Sequence, residues 1–141
     1  MIKVLFDTNI ILDIALEREP FFQDTRTAFE EIDSGLITGF VTATTLTDIY
    51  YITKKEIGHN KALEFIQNLI EVVDVAGVDR SVIEYALVSG FKDFEDAVQE
   101  FSSQRNAIEI IVTRNVTDFK ESALKIFTPQ QFVKYLKSIA Q

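Results

Sequence analysis

Val4-Leu5-Phe6-Asp7-Thr8-Asn9 is the stretch on which the fold turns. An apolar run from Ile2 to Phe6 ends at an acid. Helical spacing begins directly afterwards, with Ile11, Leu12, Ala15 and Leu16 on one face of a segment from Ile10 to Glu17. A strand covered on both faces reads as such an apolar run. Open α/β sheets bind ligands beyond the carboxyl ends of their strands. Asp7, Thr8 and Asn9 therefore fall where a sheet of that kind works. All three are good helix N-caps, but a cap uses one residue and leaves the rest of a polar triplet unexplained.

The alternation continues along the chain. Pro20-Phe21-Phe22 breaks the first helix and opens a second, which Ser34-Gly35 stops after Asp33. Phe40-Val41-Thr42 reads as a strand, and Ala43 to Lys55 as a helix with Leu46, Ile49, Tyr50 and Thr53 on its stripe. Gly58-His59-Asn60 reads as a turn, Ala62 to Ile70 as a helix with Leu63, Ile66 and Ile70 inward, and Val72 to Val75 as a strand. Asp79 to Ser89 is a helix capped at Asp79, and Asp93 to Arg105 another with Phe94, Ala97, Val98 and Phe101 inward. Ile108 to Val112 is a strand, Lys125-Ile126-Phe127 an edge strand, and Pro129 opens a last helix that packs through Phe132, Val133, Leu136 and Ile139. Strands alternating with helices predict a three-layer α/β/α architecture around a mostly parallel sheet of about five strands. A single unit over 1–141 is expected, with no linker, repeat or low-complexity segment.

Composition narrows the classes. The chain has 141 residues, 47% of them hydrophobic and 26% charged, as in an ordinary globular domain. No apolar run is long enough to span a membrane, and the N-terminus has no signal-peptide pattern. With no cysteine, disulfides and thiolate metal sites are excluded, and a cytoplasmic location is the default. A net charge of −8 argues against a broad basic surface that coats nucleic acid. It is compatible with a site that meets phosphate through a metal ion.

The acids fall at element ends. Asp48 interrupts a helix interior, where aspartate is a poor former, and a surface pair with Lys54 or Lys55 is the plain alternative. Asp93, Glu95 and Asp96 open a helix, where acids complement its dipole. Asp96 adjoins the apolar stripe, and Glu100 reads as solvated. Thr113-Arg114-Asn115, with Asp118-Phe119, follows a strand as Asp7 does, and Arg114 either pairs with an acid or holds a phosphate. Like charges held together need a cation. Oxygen donors with no cysteine and a single histidine suit Mg²⁺ or Mn²⁺. His59, in its turn, reads as an exposed residue, so a Ser-His-Asp hydrolase is disfavoured.

Over nearly its whole length the chain resembles a PIN domain, especially the VapC-like ribonuclease toxins of bacterial toxin–antitoxin pairs. The resemblance rests on Asp7-Thr8-Asn9 with Leu12-Asp13, Thr45-Leu46-Thr47-Asp48, Glu95-Asp96-Ala97, and Thr113-Arg114-Asn115 with Asp118-Phe119. It implies a Mg²⁺- or Mn²⁺-dependent endoribonuclease with RNA as substrate, a cognate antitoxin as partner and a homodimeric state. It also implies a catalytic set of Asp7, Asp48, Asp96, Asn115 and Asp118, with Asp7, Asp96, Asp48 and Asp118 on the metal. Thr8, Asn9 and Thr113 match polar residues that orient ligands or the attacking water, and Glu95 and Arg114 flank them. Asp48 stands where the family usually has Glu, and Asn115 where it usually has Asp. These departures leave a second reading, a PIN-like binding or assembly module without cleavage. A hydrolase with Asp7 as nucleophile is disfavoured because Asn9 stands where its second aspartate belongs. The exposed aromatics Phe21, Phe22, Tyr50 and Tyr51 are expected in either a partner surface or the core.

Overall fold

Phe6 is fully buried between two rings, Phe29 at 5.3 Å and Phe132 at 6.3 Å, both edge-on. This contact shows how the opening strand organises the molecule. The computed structural model describes residues 1–140; Gln141, which the expected unit over 1–141 includes, lies outside the described residues. Five strands, β1 (Ile2–Phe6), β2 (Ile37–Thr42), β3 (Asp74–Ala76), β4 (Ile110–Val112) and β5 (Lys125–Phe127), form one sheet in the order β3-β2-β1-β4-β5. Every neighbouring pair is parallel. The helices are α1 (Thr8–Ala15), α2 (Phe22–Glu30), α3 (Ala43–Ile57), α4 (His59–Val72), α5 (Arg80–Leu87), α6 (Phe94–Arg105) and α7 (Pro129–Ile139).

Successive strand residues face opposite layers. Val4 and Phe6, with Val41, Ile110 and Val112, join the cluster that contains Ile11, Leu69, Phe132 and Leu136 from α1, α4 and α7. Leu5, Phe40 and Ile111 turn the other way, onto Phe91 and Phe119. A third cluster, Val82, Ala86, Ala97 and Val98, locks α5 to α6. The result is the expected three-layer α/β/α arrangement. Gly39 leaves room for its neighbours: a Cβ there would lie 2.8 Å from the tip of Ile32 and 3.2 Å from the Phe6 ring, so both would have to shift.

The topology locates the site. β2 and β3 lie on one side of β1, and β4 and β5 on the other, so the order reverses between β1 and β4. A crevice opens at such a reversal, beyond the carboxyl ends. Asp7 and Thr113 are the first residues past those two ends, and the Asp7 N–H donates to the Val112 carbonyl at 3.0 Å.

Several expectations are corrected in detail. Gly58 alone forms the break after α3, with φ of 87°, and His59 and Asn60 already belong to α4. Along α4 the buried residues are Ala62 and Leu69, while Leu63 and Ile70 are exposed. Apolar residues occupy two adjoining faces of that helix, and packing against α3 selects the one through Ala62. Phe94 is 50% exposed rather than inward, and Ile139 is also exposed. The second helix tightens into a 3₁₀ turn over Glu31–Ser34 before Gly35. No helix among the described residues is long and apolar enough to cross a membrane.

Candidate metal centre at the strand ends

Asp7 is buried, and both of its carboxylate oxygens are held. Gln99 Nε2 donates to Oδ1 and Thr113 Oγ1 to Oδ2, each at 2.8 Å. Burial nevertheless raises its pKa, outweighing the lowering by Gln99, Thr113, the Thr8 backbone N–H and the charge of Arg114. The sheet thus presents a desolvated, oriented acid at its switch point.

The second half of the centre comes from α6. Asp93 caps the helix, accepting from the Asp96 N–H at 2.9 Å, and this aims the first turn at Asp7. Carboxylate oxygens of Asp7, Glu95 and Asp96 lie within 4.8 Å of one another. Their mutual effect is large. Asp96 is pushed up to about 7 by desolvation and by the charges of Asp7, Asp93 and Asp118. Glu95 is pushed up to about 8, first by a hydrogen bond with Asp48, then by desolvation and by Asp48, Asp7 and Asp93. Three acids at this spacing share protons or a cation, because like charges in a partly dry site are unfavourable alone.

The sequence-predicted residues separate accordingly. Asp7 and Asp96 meet as expected. Glu95, expected to flank them, stands with them as a third converging acid. Asp48 acts on Glu95 through a side-chain hydrogen bond and its charge, and it is in none of the ion pairs among the described residues, so the pairing with Lys54 or Lys55 is not seen. A chain of hydroxyls sets the start of α3, which carries Asp48. Thr8 Oγ1 meets Thr45 Oγ1 at 2.8 Å, and Thr42 Oγ1 donates to Thr45 Oγ1 at 2.9 Å. Asn9 is half-buried in the first turn of α1. Asn115 is exposed, and its backbone N–H donates to Thr113 Oγ1 at 3.1 Å. Asp118 is exposed across a cleft of about 310 Å³ that Asp96, Lys92 and Lys120 also line. Its charge reaches Asp96, but it is not among the three converging acids.

Arg114 pairs with an acid outside the centre. Its Nε lies 2.8 Å from Oδ2 of the fully buried Asp13, and its guanidinium lies 3.9 Å over the Phe21 ring. Thr25 Oγ1 also donates to Asp13 at 3.4 Å. Glu100, read as solvated, is buried. It accepts from Ser122 Oγ, from the Ala123 N–H at 3.1 Å and from Gln104 Nε2 at 2.7 Å, and so ties down the segment before β5. His59 is exposed as expected, its Nδ1 2.7 Å from the Tyr50 hydroxyl.

Gln99 is the functional residue that sequence reasoning missed. It is fully buried, and its Oε1 has no hydrogen-bond partner. The usable signal is its spacing: Gln99 stands one helical turn after Glu95 and shares its face.

The donor set fits a hard divalent cation. All three converging groups are carboxylates, and Mg²⁺ or Mn²⁺ takes oxygen ligands at about 2.1 Å. Positive charge would also relieve the repulsion that raises Asp96 and Glu95.

Known proteins share the fold. Residues 3–117 match the PIN domain family. Ribonuclease VapC1 of Aquifex aeolicus (strain VF5) is 25% identical over 135 residues, covering 92% of each chain. Among solved structures, DNA-bound VapBC from Salmonella typhimurium superposes with a TM-score of 0.67 at 18% identity, over 92% of this chain and 99% of that one. Mycobacterium tuberculosis VapC20, described as a Sarcin-Ricin loop cleaving toxin, gives a TM-score of 0.62 at 16% identity, over 77% and 86%.

Proposed function

Because the chain belongs to the PIN domain family, we propose that it is a metal-dependent endoribonuclease and the toxin of a toxin–antitoxin pair. The observation that carries this reading is the convergence of Asp7, Glu95 and Asp96 from the end of β1 and the start of α6. The resemblance to a VapC ribonuclease and to structures of toxin–antitoxin complexes supports the biological role. The substrate proposed is RNA, the partner a cognate antitoxin and the assembly a homodimer, with residues 1–141 acting as one unit.

Asp7, Glu95 and Asp96 would hold Mg²⁺ or Mn²⁺, with Asp48 steadying Glu95 and Asp118 adding negative charge beside Asp96. When bound, the ion lowers the pKa of a water and offsets charge on the phosphoryl oxygens. The chain's own groups do the rest. Gln99 and Thr113 fix both oxygens of Asp7, so that the acid is oriented before any ligand arrives. Asp48 holds the Glu95 carboxyl, and the Thr8–Thr45–Thr42 hydroxyls hold the helix that carries Asp48. No protein nucleophile is required for in-line hydrolysis of the phosphodiester.

The test is cleavage of labelled RNA in Mg²⁺ or Mn²⁺ by the wild-type chain and by Asp7→Asn. Cleavage that EDTA stops and Asp7→Asn abolishes is expected. Equal cleavage by the variant removes the proposal. Metal binding without cleavage of any RNA would favour the non-cleaving module.

A further inference from the structure

A second cleft opens at the same carboxyl edge of the sheet, between the start of α2 and the start of α7. It measures about 210 Å³ and is lined by Phe21, Asp24, Thr25, Arg114, Thr128 and Gln130. We propose that it is the subsite for one unpaired nucleobase of the RNA strand, adjacent to the phosphodiester that is cut. This rests on the ribonuclease reading of the neighbouring acids.

Position is the first argument. Thr113 donates its hydroxyl to Asp7, and its backbone N–H donates to the Phe127 carbonyl at 2.9 Å. The next residues along both strands, Arg114 and Thr128, line the cleft. The cleft therefore begins one residue from the group that orients Asp7, and the charge of Arg114 is felt at that acid.

The cleft also carries a stacking platform. The Arg114 guanidinium lies 3.9 Å from the Phe21 ring centroid, and both remain partly open, Phe21 at 39% and the Arg114 side chain at 20%. Asp13 holds the guanidinium through Nε, so the platform is formed without a ligand. Unstacked bases settle on aromatic rings and on guanidinium planes.

Charge decides between a base and a phosphate. Asp13 already neutralises Arg114, and Asp24 stands at the rim. Arg18 also bears on Asp13, so the two carboxylates balance two guanidiniums and no net positive charge is left for an anionic phosphate; a neutral base needs none. Gln130 Nε2 donates to Asp24 Oδ2 at 2.8 Å, leaving Asp24 Oδ1 and Gln130 Oε1 as acceptors for amino or imino groups of a base edge. The small volume admits one base and no duplex.

The experiment uses short fluorescein-labelled single-stranded RNAs in which one abasic residue is walked along the strand. Binding is measured in Ca²⁺, and cleavage in Mn²⁺. At one position beside the cleaved bond, loss of the base should weaken binding about tenfold. Phe21→Ala should weaken intact RNA by a similar factor and add nothing on the abasic strand. Gln130→Ala, an exposed change, should alter which base is preferred there. Calorimetric Mn²⁺ affinity of Phe21→Ala should stay within about twofold of wild type, which separates the cleft from the metal centre and shows that the variant is folded. Equal binding of every abasic RNA by wild type, or equal extra loss from Phe21→Ala on intact and abasic strands, overturns the subsite while the nuclease reading stands. A wild-type chain that cuts and binds no RNA defeats both.

Discussion

Asp96→Asn should make the metal-free protein more stable while abolishing metal-dependent cleavage. The structure supplies the magnitude. Asp96 moves from its ordinary value of 3.8 to about 7 on folding. At 1.36 kcal/mol per pKa unit that shift corresponds to roughly 4 kcal/mol. Asp96 is only half-buried, so solvent screening reduces this to about 2 kcal/mol. The sign follows from proton counts. Below about pH 4 the carboxyl is neutral in both folded and unfolded chains, and it imposes no penalty. Between about pH 4 and pH 7 the folded chain holds a proton that the unfolded chain has lost, so wild-type stability falls as pH rises. Above about pH 7 both are ionised and the penalty is constant. Asn carries no charge at any of these values. Urea unfolding in EDTA should therefore show little gain for the variant near pH 4 and about 2 kcal/mol near pH 8. A variant less stable than wild type at pH 8, or a gain independent of pH, would refute the view that Asp96 is repelled by its neighbours.

Gln99→Leu and Thr113→Val each free one oxygen of Asp7 and should lower Mn²⁺ affinity or cleavage by roughly 10–100-fold, measured by calorimetry and by RNA hydrolysis. Mn²⁺ must displace the protons that Asp96 and Glu95 keep up to about 7 and about 8, so metal affinity should climb between about pH 6 and pH 8; an affinity flat across that range speaks against these ligands. Arg114→Met removes the ion-pair partner of the fully buried Asp13, leaving it only Thr25 and the charge of Arg18, and should cost about 3 kcal/mol in urea unfolding, with Asp13→Asn in the same chain restoring much of it. Glu100→Ala should raise amide exchange at Ala123 and its neighbours without changing Mn²⁺ affinity, since Glu100 ties that segment rather than the acids.

The sheet and Asp7 were legible because a doubly covered parallel strand must be apolar until it reaches the edge where polar groups are tolerated. Asp96 was legible for the related reason that it borders the stripe of α6. Glu95 was harder to place, because a first-turn acid has an ordinary role beside the helix dipole and nothing local separates the two. Gln99 was invisible to a search for charge: it matters by donating to a carboxylate more than ninety residues away in sequence. Glu100 was misplaced for the opposite reason. A charged residue on a helix is expected in water, yet here Ser122, Ala123 and Gln104 replace that water. Arg114 has two partners open to it in the sequence, an acid or a phosphate, and the acid it pairs with, Asp13, lies inside an apolar helix whose periodicity gives no reason to bury an acid. For Gln99, Glu100 and Arg114 a partner comes from distant chain that only the packed sheet brings near.

On this reading Asp7, Glu95 and Asp96 form a seat for one hard divalent cation. Crystals soaked in Mn²⁺ and measured for anomalous scattering test it directly. A peak within bonding distance of carboxylate oxygens from both the end of β1 and the first turn of α6 is predicted, and its loss in Asp7→Asn. A peak elsewhere, or none at saturating Mn²⁺, would contradict it.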